Sequence, residues 1–161
     1  LSGESANGDW PVESVQTMAR IATETEEQLK YETAVSKAKS HTPATSGVIS
    51  RAACNAANEL KAAAIVSSTK SGATARRISQ CRPECPIVAV TPSEKVAKSL
   101  AFCFGVYPVV AEDQNSTDAM MANATKIAVE NGFANSGDTV VIAAGLDQVG
   151  STNLLKVSVV E

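Results

Sequence analysis

Four short apolar runs recur along the chain, at residues 63–66, 86–90, 105–110 and 139–144, and a helical pattern separates each from the next. A strand with one wet face alternates apolar and polar residues. A nearly continuous apolar run needs cover on both faces, as in a parallel sheet. The intervening segments 74–80, 93–102 and 116–131 have helical spacing. Ser93 is placed to cap the second, Ser116 or Asn115 the third, and Gly132 to stop it. Strands alternating with helices predict a parallel sheet covered on both sides. The last segment, 154–160, differs: Leu155, Val157 and Val159 alternate with Lys156, Ser158 and Val160, which suits an edge strand exposed on one side. A loop of about ten residues joins it to the fourth run, too short for a crossover helix, so this strand is expected to run antiparallel. The expected fold is an α/β three-layer αβα sandwich. Its five-stranded sheet is mostly parallel, with an antiparallel last strand.

Two further helices precede this pattern. Asp9 reads as the cap of a helix entered through Trp10 and Pro11, with Val12, Val15, Met18, Ala19, Ala22 and Leu29 at helical spacing up to about Tyr31. Glu24, Glu26 and Glu27 give it a solvated face. A polar connector follows at 36–43. A helix over 45–60 then offers Val48, Ala52, Ala53, Ala56 and Ala57 as a small-residue face for close packing on the sheet. The expected organisation is residues 1–35 as one part and 36–161 as a compact domain.

The connection after the first apolar run reads VSSTKSGATARR, Val66 to Arg77. A strand that turns at once into a helix aims free backbone N–H groups and the positive end of the helix dipole at one point, which suits an anion. Ser67, Ser68, Thr69, Ser71 and Thr74 add hydroxyls, Lys70 adds a charge, and Gly72 permits close approach of a ligand. The glycine spacing and Gly-Lys-Ser/Thr order of the nucleotide P-loop are missing. The alternative is a polar turn capped by Ser71 or Thr69. A second loop, 145–153, again rich in Gly, Ser and Thr, leaves the same end of the sheet. Ligands gather at the carboxyl ends of parallel strands, and two donor-rich loops there favour the anion site.

A net charge of −3 argues against broad nucleic-acid binding, and no apolar run is long enough to span a bilayer. Hydrophobic residues make up 44% of the chain, with one Trp, two Tyr and three Phe, so aliphatic side chains must fill the core. Cys54 and Cys103 read as small core residues. Cys81 and Cys85 flank Arg82-Pro83-Glu84 and are close enough in sequence to meet; reduced thiols are favoured there over a metal site or disulfide. His41, the one histidine, lies in a polar segment and gives little support to His-based catalysis. The chain starts at Leu1 without Met, which is expected of a piece of a longer polypeptide.

Several stretches together resemble one family. Leu1-Ser2-Gly3-Glu4-Ser5-Ala6-Asn7-Gly8 with Pro11 and Glu13, then Thr69-Lys70-Ser71-Gly72, Arg82-Pro83, Ile87-Val88-Ala89-Val90-Thr91 and Gly150-Ser151-Thr152-Asn153, are similar in order and spacing to the carboxy-terminal region of pyruvate kinase, of bacterial type. The resemblance implies a parent enzyme that transfers phosphate from phosphoenolpyruvate to ADP in glycolysis, with Mg²⁺ and K⁺. That parent is cytoplasmic and commonly tetrameric, with its catalytic residues on a barrel upstream. It makes residues 1–35 the end of that barrel with a connecting helix, and 36–161 the carboxy-terminal domain. This fragment alone is then not catalytic and needs no cofactor; Ser2 and Glu4 border the parent's active site. The resemblance assigns an allosteric effector site to Ser68, Thr69, Lys70, Ser71, Gly72 and Thr74, closed by Gly150, Ser151 and Thr152. The closing loop has Leu146, Asp147 and Gln148 where the fructose-bisphosphate-regulated type has a tryptophan and an arginine. Asp147 would repel a second phosphate, which brings a sugar monophosphate or nucleotide monophosphate into consideration as effector. The alternatives are a stand-alone phosphosugar-binding module, or an assembly domain with a degenerate anion site.

Overall fold

The structure, a computed structural model, describes residues 2–28, 44–114, 116–145 and 152–161. The expected helix end at Tyr31, the 36–43 connector with His41, Asn115, and residues 146–151 lie outside them. The chain divides into two compact units, Leu1–Lys30 and Tyr31–Glu161.

In the first unit a single helical turn, α1 (Gly3–Ala6), precedes α2 (Pro11–Glu27). Pro11 occupies the first turn, where its missing N–H costs nothing. The cap position belongs to Trp10, not Asp9, and no side chain caps it. The Ser14 hydroxyl bonds back to the Trp10 carbonyl at 2.7 Å. No residue of α2 is buried in this chain, and Trp10, Val12, Val15, Met18 and Ile21 are exposed.

The second unit runs α3 (Thr45–Glu59), β1 (Ala64–Ser68), α4 (Ala73–Cys81), β2 (Ile87–Thr91), α5 (Glu94–Leu100), β3 (Val106–Val110), α6 (Thr117–Glu130), β4 (Thr139–Ala144) and β5 (Leu154–Val159). Ser93 caps α5 by accepting the Val96 N–H at 3.3 Å, and Ser116 caps α6 by accepting that of Ala119 at 3.2 Å. The sheet order is β3-β2-β1-β4-β5, with β4–β5 the antiparallel pair.

Strand periodicity sorts the core into two layers. On one face Ile65, Ile87, Ala89, Val141 and Ala143 pack with Ala53, Cys54 and Ala57 of α3, Ala75 and Ile78 of α4, and Leu100 of α5. On the other, Ala64, Val66, Val88, Val90, Val140 and Ile142 pack with Met121, Ala124, Ile127 and Ala128 of α6. Both sides of β1, β2 and β4 are therefore dry, which explains their unbroken apolar sequence. The buried face of α3 is rotated from the expected one. Ser46, Ser50, Ala53, Cys54 and Ala57 are buried, while Val48 is exposed. Ser50 escapes an unsatisfied hydroxyl by donating to the Ser46 carbonyl at 2.7 Å, so two serines pass as small core residues.

Candidate functional site

Residues 64–68 of β1 lie beside 140–144 of β4 in parallel register, so both strands end level, at Ser68 and Ala144. From β1 the chain crosses to β2 through α4 on one face. It reaches β4 through α6 on the other. The direction of winding reverses between these neighbours, and loops leaving the carboxyl ends of such a pair diverge to form a crevice. The two donor-rich loops leave from this point.

The first loop is held in shape by its own polar groups. The Thr69 N–H bonds to the Val90 carbonyl at 2.9 Å, and the Thr69 hydroxyl accepts the Gly72 N–H at 3.0 Å. Gly72 caps α4 in the left-handed region, at φ +80°. A Cβ there would fall 2.7 Å from Arg76 Nη1 and 3.2 Å from both Leu100 and Val96, so the backbone conformation strains any larger residue and these neighbours must shift to admit one. Arg76 donates to the Ser71 carbonyl at 3.0 Å and to the Ser99 hydroxyl at 2.7 Å. The first N–H groups of α4 have no acceptor within the helix.

Of the expected site residues, Thr69, Gly72, Thr74 and Thr152 are buried, Ser68 is half-buried, and Lys70 and Ser71 are exposed. Thr74 and Thr152 meet in a buried hydroxyl–hydroxyl bond of 2.6 Å, joining the start of α4 to the end of the β4–β5 loop. That loop is closed at its base by Asn153 N–H on the Ala144 carbonyl, at 3.1 Å. Gly150 and Ser151 lie outside the described residues, as do Leu146, Asp147 and Gln148. The Ser67 hydroxyl, fully buried near the end of β1, has no hydrogen-bond partner among the described residues. Lys70 forms an ion pair with Asp113 on the β3–α6 connection, a partner that the sequence reading missed. Nothing in the spacing of residues 70 and 113 signals it; only the sheet order brings them together. Ser2 and Glu4 sit exposed in the first unit, 3.3 Å apart.

These features match a known family. Residues 47–158 fit the family model described as "Pyruvate kinase, alpha/beta domain". The chain belongs to the pyruvate kinase family. It corresponds to that enzyme's carboxy-terminal domain. A pyruvate kinase from Clostridium acetobutylicum is 47% identical over 164 aligned positions, covering 100% of this chain and 35% of the relative. One from Bacillus licheniformis is 41% identical over 162 positions, covering 99% of this chain and 28% of the relative. The crystal structure of a pyruvate kinase from Cryptosporidium parvum superposes with a TM-score of 0.86 at 29% identity, over 100% of this chain and 32% of that one. The chain thus spans about a third of the length of the pyruvate kinases it matches.

The opposite end of the sheet is chemically different. A cavity of about 250 Å³ lies at the amino ends of β1 and β2, lined by Ala57, Lys61, Ala62, Glu84 and Cys85. Lys61 and Glu84 pair across it at 3.5 Å, largely in solvent. Burial first, with Glu84 adding, pushes the Cys85 thiol up to about 11. The Cys54 thiol of α3 donates to the Ile78 carbonyl at 3.7 Å and the Cys81 thiol to that of Arg77 at 3.6 Å, and the neighbouring Cys81 thiol, with burial, pushes the Cys54 thiol up. All four cysteines are free. Among the described residues no group of three His, Cys, Asp or Glu side chains is placed to hold a metal ion, and no helix is long and apolar enough to cross a membrane.

Proposed function

We propose that this chain is the effector-binding and assembly domain of a pyruvate kinase whose barrel transfers phosphate from phosphoenolpyruvate to ADP. The observation that carries the effector role is the buried Thr74–Thr152 bond at the β1/β4 switch point. It joins the hydroxyl- and lysine-bearing turn to the second donor-rich loop, so a ligand held by one is felt by the other. Lys70, Ser68, Ser71 and the first N–H groups of α4 supply donors for a phosphorylated effector, either a sugar phosphate or a nucleotide monophosphate. Mg²⁺ and K⁺ belong to the barrel in this reading, and no residue described here is assigned to them. Ser2 and Glu4 border that barrel's active site, catalysis requires the rest of the enzyme, and the setting is the cytoplasm. Effector binding acts by favouring one arrangement of domains and subunits over another.

Assembly rests on β5. Val160 N–H bonds to the Asp138 carbonyl at 2.9 Å. By alternation, Ser158 and Lys156 also turn their backbone groups to β4, and Val157 and Val159 turn theirs to the free edge. These residues are 43% and 59% exposed, leaving a strand edge that is unpaired among the described residues and suited to pairing with a second copy.

A second reading, an assembly domain with a degenerate anion site, is favoured by the hydroxyls of Thr69 and Thr74, which are already engaged within the protein. Isothermal titration separates the two. The ligands are fructose bisphosphate, ribose 5-phosphate, glucose 6-phosphate and AMP, with inorganic phosphate as control. Saturable binding of one ligand, weakened at least tenfold in Lys70→Ala, supports the effector role, since charge-assisted hydrogen bonds contribute about 1.5–3 kcal/mol. No binding by a folded chain supports the degenerate site.

A further inference from the structure

Lys70 is the one cation of the 67–74 turn, and Asp113 already holds it. The two residues lie on different connections: Lys70 follows β1, and Asp113 follows β3. Since β2 separates those strands, Asp113 reaches back across the carboxyl end of β2, a span of about 10 Å at the usual strand spacing. Its own loop is short and fixed on both sides. Ala111 N–H bonds to the Thr91 carbonyl at 3.1 Å, and Ser116 caps α6. The carboxylate is thereby tethered beside the lysine, at the high effective concentration of any intramolecular partner.

We infer that Asp113 is a built-in competitor for the anion site, occupying the Lys70 ammonium until a phosphate displaces it. This rests on the anion-binding reading above and adds a selectivity that reading lacks. A monoanionic carboxylate meets a tethered group of equal charge and gains nothing by exchange. A phosphate near pH 7 carries about −1.5 to −2 and three acceptor oxygens, so it keeps Lys70 satisfied while also reaching the N–H groups at the start of α4. Asp113 therefore sets a charge threshold that admits phosphates and rejects simple carboxylates. Displacement also releases the Asp113 side chain, so residues 113 and 114 register the ligand.

The test titrates the full 161-residue chain with inorganic phosphate, and separately with acetate, at fixed ionic strength, following backbone amide resonances. Asp113→Asn is expected to bind phosphate about threefold more tightly, the size of effect an exposed ion pair exerts. It should also gain detectable acetate binding. Asp113→Glu, which restores the charge, should return both towards wild type. Glu112→Gln removes the same charge one residue away and should change neither. In the wild type, the Asp113 and Gln114 amides should shift together with Gly72 on phosphate addition. Phosphate binding that is equal in wild type and Asp113→Asn overturns the competitor and leaves the anion site standing. Equal tightening by Glu112→Gln and Asp113→Asn also overturns it, because the effect is then a general field. No phosphate binding in any variant overturns the anion site and the competitor with it.

Discussion

Pro108 sits in the middle of outer strand β3, whereas outer strand β5 carries Val157 at its free side and no proline. The Ala111 N–H reaches the Thr91 carbonyl in β2. By alternation Tyr107 and Val109 also face β2, and residue 108 faces away from the sheet. Proline there removes a donor from the free edge at no cost to the ladder, a common way to blunt an edge. Tyr107 leans on Phe133, ring centres 5.0 Å apart, and further occupies that margin. On β5 the outward-facing backbone at Val157 and Val159 keeps its donors, and both side chains are exposed valines. Among the described residues, one edge is closed to strand addition and the other is open. The same sheet thus separates a solvent boundary from a candidate subunit contact by the identity of one residue on each side.

Exchanging that residue should break the comparison. Val157→Pro gives β5 the feature that guards β3, without touching the bonds to β4. The largest expected effect is loss of self-association in analytical ultracentrifugation, with monomer stability changed by under about 1 kcal/mol. If size in solution and stability both stay as in wild type, edge pairing through β5 is wrong. A second test asks whether core stability and edge chemistry are separable. The Cys85 thiol is raised from an ordinary value near 9 to about 11, so it stays protonated in the folded state while the unfolded chain ionises. Stability from this group is complete below pH 9 and declines as pH rises to 11, by about 2–3 kcal/mol at two pH units. Urea denaturation at pH 8 and 10.5 should show a smaller loss in Cys85→Ser than in wild type; an equal loss assigns the alkaline weakening elsewhere. Tyr107→Ala should destabilise the monomer by about 1–2 kcal/mol through the lost ring contact, read as a lower thermal midpoint, and leave association unchanged. Pro108→Val should have the smallest effect on stability, under about 1 kcal/mol, because the proline stiffens the unfolded chain. Its sharper readout is a new, weaker self-association that survives in the Val157→Pro background. Without it, Pro108 is no guard.

Much of the architecture was legible because it is local. Continuous apolar runs marked β1, β2 and β4, and short polar side chains marked two caps, Ser93 and Ser116. The length of the 145–153 segment required an antiparallel return. Helix α2 departed at its start, since Trp10 and not Asp9 takes the cap position. On α3, Ala53 and Ala57 are buried as expected, but Ser46 and Ser50 take the place expected of Val48, because serine resembles a surface residue until its hydroxyl is seen to bond within its own helix. In the site, the turn chemistry around Lys70 was visible as composition. Its link to Thr152 and the capture of Lys70 by Asp113 were not, since 78 and 43 residues separate the partners in sequence.

The sequence by itself determined the class of fold and the donors on offer, because apolar periodicity, loop length and turn chemistry act over a few neighbouring residues. Only the tertiary structure decided which hydroxyl meets which, where Lys70 finds its counter-charge, and which edge stays open. Those outcomes depend on strand order and register, and the chain sets them by packing both faces of the sheet at once.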